Sequence, residues 1–348
     1  MLTRRELLAL LGSSAALRAF AAEDVPFDRI NEHTHIYRSI PALVADMEKT
    51  GWRALSICTF QAARDDEPAD VEDLIRQVAK VHRESKGRIA WATTFDARGF
   101  ESSDFAGRTI AGLRRNYDQG AIAVKIWKTI GMAIKSKSGR YLMPDDKTLL
   151  PIYESIQKED RTLIAHLAEP NAAWLPSDDK YPHAAYYRNN PQWHMYEHPD
   201  APRKEEILAA RDRILARYPK LRVVGCHLGS NEEDLKALAG RLDRYPNFAV
   251  DVAARVQHFF DGDRESVRQF LEKYQDRILY GSDFTMGNMD DDRVVKSLSA
   301  SEKREWNMFA DAGIITFRNR QLQGLGLPDR ILRKIFHDNA VRWIPGIA

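Results

Sequence analysis

Along almost the whole chain, apolar runs end in side chains of the kind that bind metals or move protons. His33 and His35 close the run Ile30-Asn-Glu-His-Thr-His-Ile36, and Lys125 sits in Ala121-Ile-Ala-Val-Lys-Ile-Trp127. His166 closes Thr162-Leu-Ile-Ala-His166, His227 closes Val223-Val-Gly-Cys-His227, and Asp283 closes Ile278-Leu-Tyr-Gly-Ser-Asp283. One such strand end is ordinary. Five in order, each on a different strand, point to a single site at one face of a parallel barrel, because the strand C-termini of a barrel all converge there.

The rest of the pattern agrees. Strand-like apolar runs are read over Arg29 to Tyr37, Ala54 to Phe60, Arg88 to Phe95, Ala121 to Trp127, Thr162 to Leu167, Arg222 to His227, Phe248 to Ala254 and Arg277 to Asp283. Between them, Ile40 to Lys49, Val71 to Glu84, Phe105 to Asp118, Leu149 to Glu159, Pro202 to Tyr218, Asn231 to Asp243 and Arg264 to Tyr274 repeat apolar residues at three-four spacing, the mark of an amphipathic helix. With a last helix over Pro328 to Trp343, expected to close the barrel from outside, this predicts an α/β fold of the (β/α)8 TIM-barrel type. A doubly wound open sheet competes, but it does not make the first and last strands neighbours, and both carry site-type residues here.

Two long loops interrupt the rhythm, and long loops at that face usually build the pocket. Glu169 to Asp200, after strand five, is rich in aromatic residues and histidine. Phe284 to Leu325, after strand eight, contains a predicted helix over Ser301 to Ala312. Ser230-Asn-Glu-Glu233 reads as a capping box that would start a helix directly after His227.

Charge narrows the function classes. The 348 residues carry 52 lysines and arginines against 50 aspartates and glutamates, a balance unlike that of a nucleic-acid binder. Cys58 and Cys226 lie in separate apolar runs and read as buried small residues rather than a disulfide. The first 22 residues differ from the rest. Arg4-Arg5 precedes the apolar run Leu7 to Leu17, which ends in small residues at Ala19 to Ala22, the pattern of a twin-arginine signal peptide. Residues 23–348 are then one mature domain, expected in the periplasm or outside the cell. No later run reaches transmembrane length, so no membrane contact is expected after cleavage.

His33 and His35 are two apart on a strand and so face the same side. His-x-His alone also fits a polar strand end without metal. With His166, His227 and Asp283 placed inward by the same alternation, the donor set suits one divalent ion, most simply zinc, with a position left for water. Such an ion brings the water pKa toward neutrality, and an adjacent carboxylate can take and return the proton. Lys128 and Arg255, at or just past strand ends four and seven, can bind a substrate carboxylate or form salt bridges. Glu169 follows His166 by three residues and can line the same rim or cap a loop. Trp127, Trp174 and Trp193 can stack on a ring or pack in the core. His183, His194 and His198 show no ligand spacing, and His258 reads as structural.

Taken in order, Asn31-Glu-His-Thr-His35, Ile164-Ala-His166, Gly225-Cys-His-Leu-Gly229, Tyr280-Gly-Ser-Asp283 and the closing Phe336-His-Asp-Asn-Ala-Val-Arg342 resemble the amidohydrolase superfamily. Within it they are most similar to the amidohydrolase-related branch, which includes aromatic-acid decarboxylases and dicarboxylate lactonases. The resemblance implies that His33, His35, His166 and Asp283 bind the metal, with Asp283 also catalytic and His227 a ligand or catalytic partner. Lys125 holds the position of the carboxylated lysine of binuclear branches; in this branch it is more often an unmodified substrate contact. The usual aspartate before the first histidine is missing, and Glu32 is expected to face outward.

The combined expectation is a hydrolase in which metal-bound hydroxide attacks the carbonyl of a small anionic or ring-bearing substrate, such as a lactone, ester or amide. Asp283 would shuttle the proton and His227 would stabilise the oxyanion, with Lys125, Lys128, Glu169, Arg255, Trp127 and Trp193 around the substrate. The alternatives are a metal-dependent decarboxylase on the same site and a binding protein that keeps the barrel without catalysis. Expected partners are a small-molecule substrate and, as an open option, a second copy of the chain.

Overall fold

A computed structural model describes residues 25–348 except 65, 66, 68, 69, 182, 318 and 319; the leader read over 1–22 lies outside the described residues. Eight strands follow one another in the sheet: β1 (Arg29–His35), β2 (Trp52–Ile57), β3 (Ile89–Thr93), β4 (Ala121–Ile126), β5 (Thr162–Ala165), β6 (Val223–Gly225), β7 (Phe248–Asp251) and β8 (Ile278–Leu279). Neighbours pair in parallel, in order, from β8 to β1. A two-residue strand, β9 (Phe284–Thr285), continues β8 and pairs with Thr34 and His35 of β1. Glu32 N–H donates to the Tyr280 carbonyl (3.0 Å) and Asp283 N–H to the His33 carbonyl (2.9 Å), so the first and last strands are joined and the barrel closes.

The strands are nearly all buried along their whole length, as expected where helices cover the outside and side chains fill the inside. The outer helices include α1 (Pro41–Thr50), α2 (Val71–Glu84), α3 (Phe105–Asp118), α4 (Leu150–Lys158), α5 (Lys204–Arg217), α6 (Leu235–Arg244) and α7 (Arg264–Lys273). In α2, Ile75, Val78, Ala79 and Val81 form the buried stripe, and the Asp70 carboxylate caps the helix by accepting from Asp73 N–H. The barrel floor is a separate apolar layer of Ile30, Leu55, Ile57, Ala90, Ala92, Ala123, Ile164, Val224, Ala249 and Leu279.

Three expectations need correction. The helix after β6 begins at Leu235, capped by Asp234, not at the Ser230 capping box. Ser230 instead adopts a left-handed backbone, and its hydroxyl donates to the Leu167 carbonyl, tying the β6 loop to the β5 loop. The helix of the β8 loop is longer than expected, α8 (Asp291–Ala310), and a hairpin, Ile314–Phe317 with Arg320–Gln323, follows it. The C-terminal helical segment, broken by a π turn at Lys334–Asp338, packs outside the barrel through Ile335 and Phe336; Trp343, Ile344 and Ile347 then join the floor layer and plug the barrel from below.

Candidate active site

Alternation along the strands sets the layer above the floor. Two residues past Ala123, Ile164 and Ala249 come Lys125, His166 and Asp251. On β6 and β8 the same step past Val224 and Leu279 reaches Cys226 and Gly281, not His227 and Asp283. His227 and Asp283 therefore arrive by another route: both have left-handed backbone (φ 60° each), which turns the chain back over the barrel mouth. Ala168, Leu228, Ser230 and Ala254 at the same face also have positive φ. Such conformations cost free energy in non-glycine residues and collect at functional sites.

On β1 the expectation for Glu32 fails for a different reason. Asn31 pairs with Ala54 but Thr34 with Ser56, so β1 has one residue more than β2 over this stretch. The bulge breaks the alternation, and Glu32, His33 and His35 all come to the interior. Glu32 is fully buried against Asp251, and its carboxyl is held well above the usual range, first by burial and then by the Asp251 charge. Asn31 points outward, where its amide donates to Ser282 Oγ (2.9 Å) and Glu302 Oε1 (3.0 Å).

The histidines are oriented from behind. His33 Nδ1 lies 2.8 Å from Asp251 Oδ2, His35 Nδ1 lies 3.0 Å from the Ile57 carbonyl and 2.8 Å from Tyr37 Oη, and His227 Nδ1 lies 2.7 Å from the Ala253 carbonyl. Carbonyl and carboxylate oxygens only accept, so each neutral ring carries its proton on Nδ1 and leaves a lone pair on Nε2. His33 Nε2 and His35 Nε2 stand 3.4 and 3.2 Å from Asp283 Oδ1. Two lone pairs converging on an anionic oxygen repel unless a cation lies among them, and donor atoms of His33, His227 and Asp283 all lie within 4.8 Å of one another. The residues thus fit a divalent ion.

His166 stacks edge-on against His227, ring centres 4.3 Å apart, with Nε2 3.6 Å from Glu169 Oε1. Burial lowers its pKa to about 4, so at neutral pH it is an uncharged donor. Lys125 is buried and donates to Cys226 Sγ (2.8 Å), leaving both cysteines as free buried thiols.

A cavity of about 360 Å³ lies over this cluster, and Lys125, Trp127, Lys128, Glu169 and Arg255 line it. Each outer cation has a carboxylate. Lys128 Nζ is paired with Glu169 and donates to Tyr186 Oη (2.8 Å), and Arg255 Nε donates to Glu232 Oε1 (3.0 Å). Burial works to raise the Glu169 carboxyl, but the Lys128 ammonium beside it brings it well below the usual range. Trp193 does not line the cavity. It stands behind Trp127, ring centres 5.1 Å apart, with the Lys128 ammonium 4.5 Å from its ring centre. Trp174 is tied to the Pro202 carbonyl, and His194 is buried on the Leu175 carbonyl. His183 does reach the cavity, stacked on His258 with ring centres 5.9 Å apart.

Asp251, Glu232 and Tyr37 are the functional neighbours that sequence reasoning missed. The available signal for Asp251 was a charged residue inside the apolar run Phe248-Ala-Val-Asp-Val-Ala-Ala254. Glu232 and Tyr37 had no comparable mark.

The profile of the amidohydrolase family matches residues 30–345, and the chain belongs to that family. No curated protein sequence matches it. Among solved structures it is similar to 2,6-dihydroxybenzoate decarboxylase complexed with 2,6-dihydroxybenzoate, at 14% identity over 91% of this chain and 99% of that one, TM-score 0.52. It is also similar to 4-oxalomesaconate hydratase from Rhodopseudomonas palustris, at 12% identity over 92% and 96%, TM-score 0.51. At such identities the likeness establishes the barrel. Amidohydrolase superfamily members are enzymes, and the reactions named for these two structures differ.

Proposed function

We propose that this protein is a metal-dependent hydrolase acting on the carbonyl of a small ring-bearing or anionic compound, a lactone, ester or amide. The observation that carries the reading is the convergence of His33 Nε2 and His35 Nε2 on Asp283 Oδ1 under the cavity. His33, His35, His166 and Asp283 would hold the ion, with His227, whose donor atom lies within 4.8 Å of those of His33 and Asp283, directly beside it. A divalent ion such as zinc supplies Lewis acidity toward a carbonyl and a lowered pKa for water. Asp283, the carboxylate at that point, takes the proton of the attacking water and passes it to the leaving group. His227 has its Nδ1 proton committed to the Ala253 carbonyl, and burial keeps the ring neutral. It therefore presents an acceptor, which suits orienting the water and does not suit the oxyanion-donor role expected from sequence.

Charge and size bear on the substrate. Lys125, Lys128 and Arg255 are balanced against Glu169, Glu232, Asp251 and Asp283, while Glu32 is held neutral. This leaves one negative charge, which a divalent cation converts to one positive charge. The balance suits a monoanion, and about 360 Å³ suits a single-ring molecule. Trp127 on the wall offers a flat apolar face.

The test has two parts. Purified protein should hold about one divalent ion per chain, reduced in His33→Ala and Asp283→Ala. In oxygen-18 water, turnover of a panel of aryl lactones and esters should place the label in the product acid. Carbon dioxide release without label uptake, from ring-bearing acids, would establish the decarboxylase reading instead, with Arg255 or Lys125 orienting the carboxylate.

We also propose export through the twin-arginine leader, on the sequence pattern of residues 1–22. Replacing Arg4 and Arg5 by lysine should leave precursor in the cytoplasm; unchanged periplasmic delivery would refute this route.

A further inference from the structure

Asp251 is fully buried on β7 and touches two of the site's histidines by different atoms. Its Oδ2 accepts from His33 Nδ1 (2.8 Å), and its Oδ1 accepts from the backbone N–H groups of His227 (2.6 Å) and Ala253 (3.0 Å). The His227 N–H belongs to a residue in a left-handed turn, and the Ala253 carbonyl in turn holds His227 Nδ1. One carboxylate therefore sets the tautomer of His33 and anchors the turn that carries His227. We propose that Asp251 is the positioning residue of this centre, keeping His33 protonated on Nδ1 so that Nε2 offers its lone pair to the ion; this rests on the metal site described above.

The geometry makes Asp251→Asn a sharp probe. The amide oxygen would stay on the two backbone N–H groups, since turning the amide over would set its NH2 against both of them. That leaves the NH2 facing His33 Nδ1, donor against donor. The ring resolves this by moving its proton to Nε2, where it can no longer bind a metal. Partners that orient a ligating histidine in this way are generally worth about 10–100-fold in metal affinity.

The measurement is zinc affinity of the full chain by chelator competition, with the nitrogen-15 spectrum of the histidine rings read in the metal-free protein. Wild type should show His33 protonated on Nδ1. Asp251→Asn should bind zinc about 10–100-fold more weakly, with His33 protonated on Nε2 and an unchanged circular dichroism spectrum. Asp251→Asn binding zinc as tightly as wild type would overturn the assignment. So would a wild-type His33 protonated on Nε2, a result that stands even if the variant fails to fold. Wild type that binds no zinc would instead sink the metal-site reading itself, and neither result depends on which reaction is catalysed.

Discussion

Gly281 gives the most direct test of how the barrel closure shapes the site. It occupies the inward position of β8 where other strands carry Lys125, His166 or Asp251. A Cβ built on it would lie 2.6 Å from His33 Cβ, 3.1 Å from Glu32 Oε1 and 3.3 Å from Ala253 Cβ. Its φ is not in the left-handed range, so the constraint is one of space alone. His33 Cβ cannot swing aside because it is fixed to the β1 backbone, which is bonded to β8 on both sides of Gly281 through Glu32 N–H and Asp283 N–H. Gly281→Ala must therefore part β1 from β8 by roughly 1 Å, an overpacking that costs about 1–3 kcal/mol. In a domain of this size that predicts a fall of about 2–4 °C in Tm. The same movement carries His33 away from Asp283, so metal affinity should fall as well. The assays are thermal unfolding of the metal-free protein and zinc titration by chelator competition. A variant with wild-type Tm and wild-type zinc affinity would show that the β1–β8 seam is not as tight as the geometry requires.

Three further outcomes are expected. His227→Asn should keep most of the metal and lose ~10²–10³ in turnover, as removal of a single polar contact to the reacting groups typically does, whereas His166→Asn should lose both; equal loss of metal in the two would make His227 a ligand. Lys128→Met should leave Glu169 as an uncompensated buried charge and destabilise the fold by about 3–5 kcal/mol, against much less for the double change with Glu169→Gln, read by denaturant unfolding. Burial raises the Glu302 carboxyl to about 8 and the Glu305 carboxyl to about 7. Folded pKa values above the unfolded ones give stability that is full below about pH 4 and lost as pH climbs through 7 and 8. Glu302→Gln should therefore gain Tm relative to wild type at pH 8 but not at pH 5, and an equal change at both would refute the linkage.

Much of this was legible because it depends on local period. Runs such as Ala121-Ile-Ala-Val-Lys and Thr162-Leu-Ile-Ala-His are unbroken apolar strands of a sheet covered on both faces, so the single polar residue that ends each, Lys125 or His166, is expected at the strand's C-terminal rim. Ile75, Val78 and Ala79 recur at helical spacing and place α2 on the outside. Eight alternations fixed the architecture, and the order of His33, His35, His166, His227 and Asp283 identified the face that carries the site.

Tertiary structure decided the rest wherever period fails or where the partner is distant in sequence. The β1 bulge overrides alternation and brings Glu32 inside beside His33. Left-handed turns, not strand parity, deliver His227 and Asp283; histidine and aspartate are among the non-glycine residues that adopt positive φ most often, but residue type alone does not single out these two positions. Lys128 with Glu169 and Arg255 with Glu232 are ion pairs formed only when separate loops fold over one mouth, so residues that look in sequence like free anion binders are already neutralised. Asp251 shows the same limit: its role depends on His33, 218 residues away. A chain reports its own local geometry, and only closure of the barrel determines which distant oxygen sits behind which imidazole.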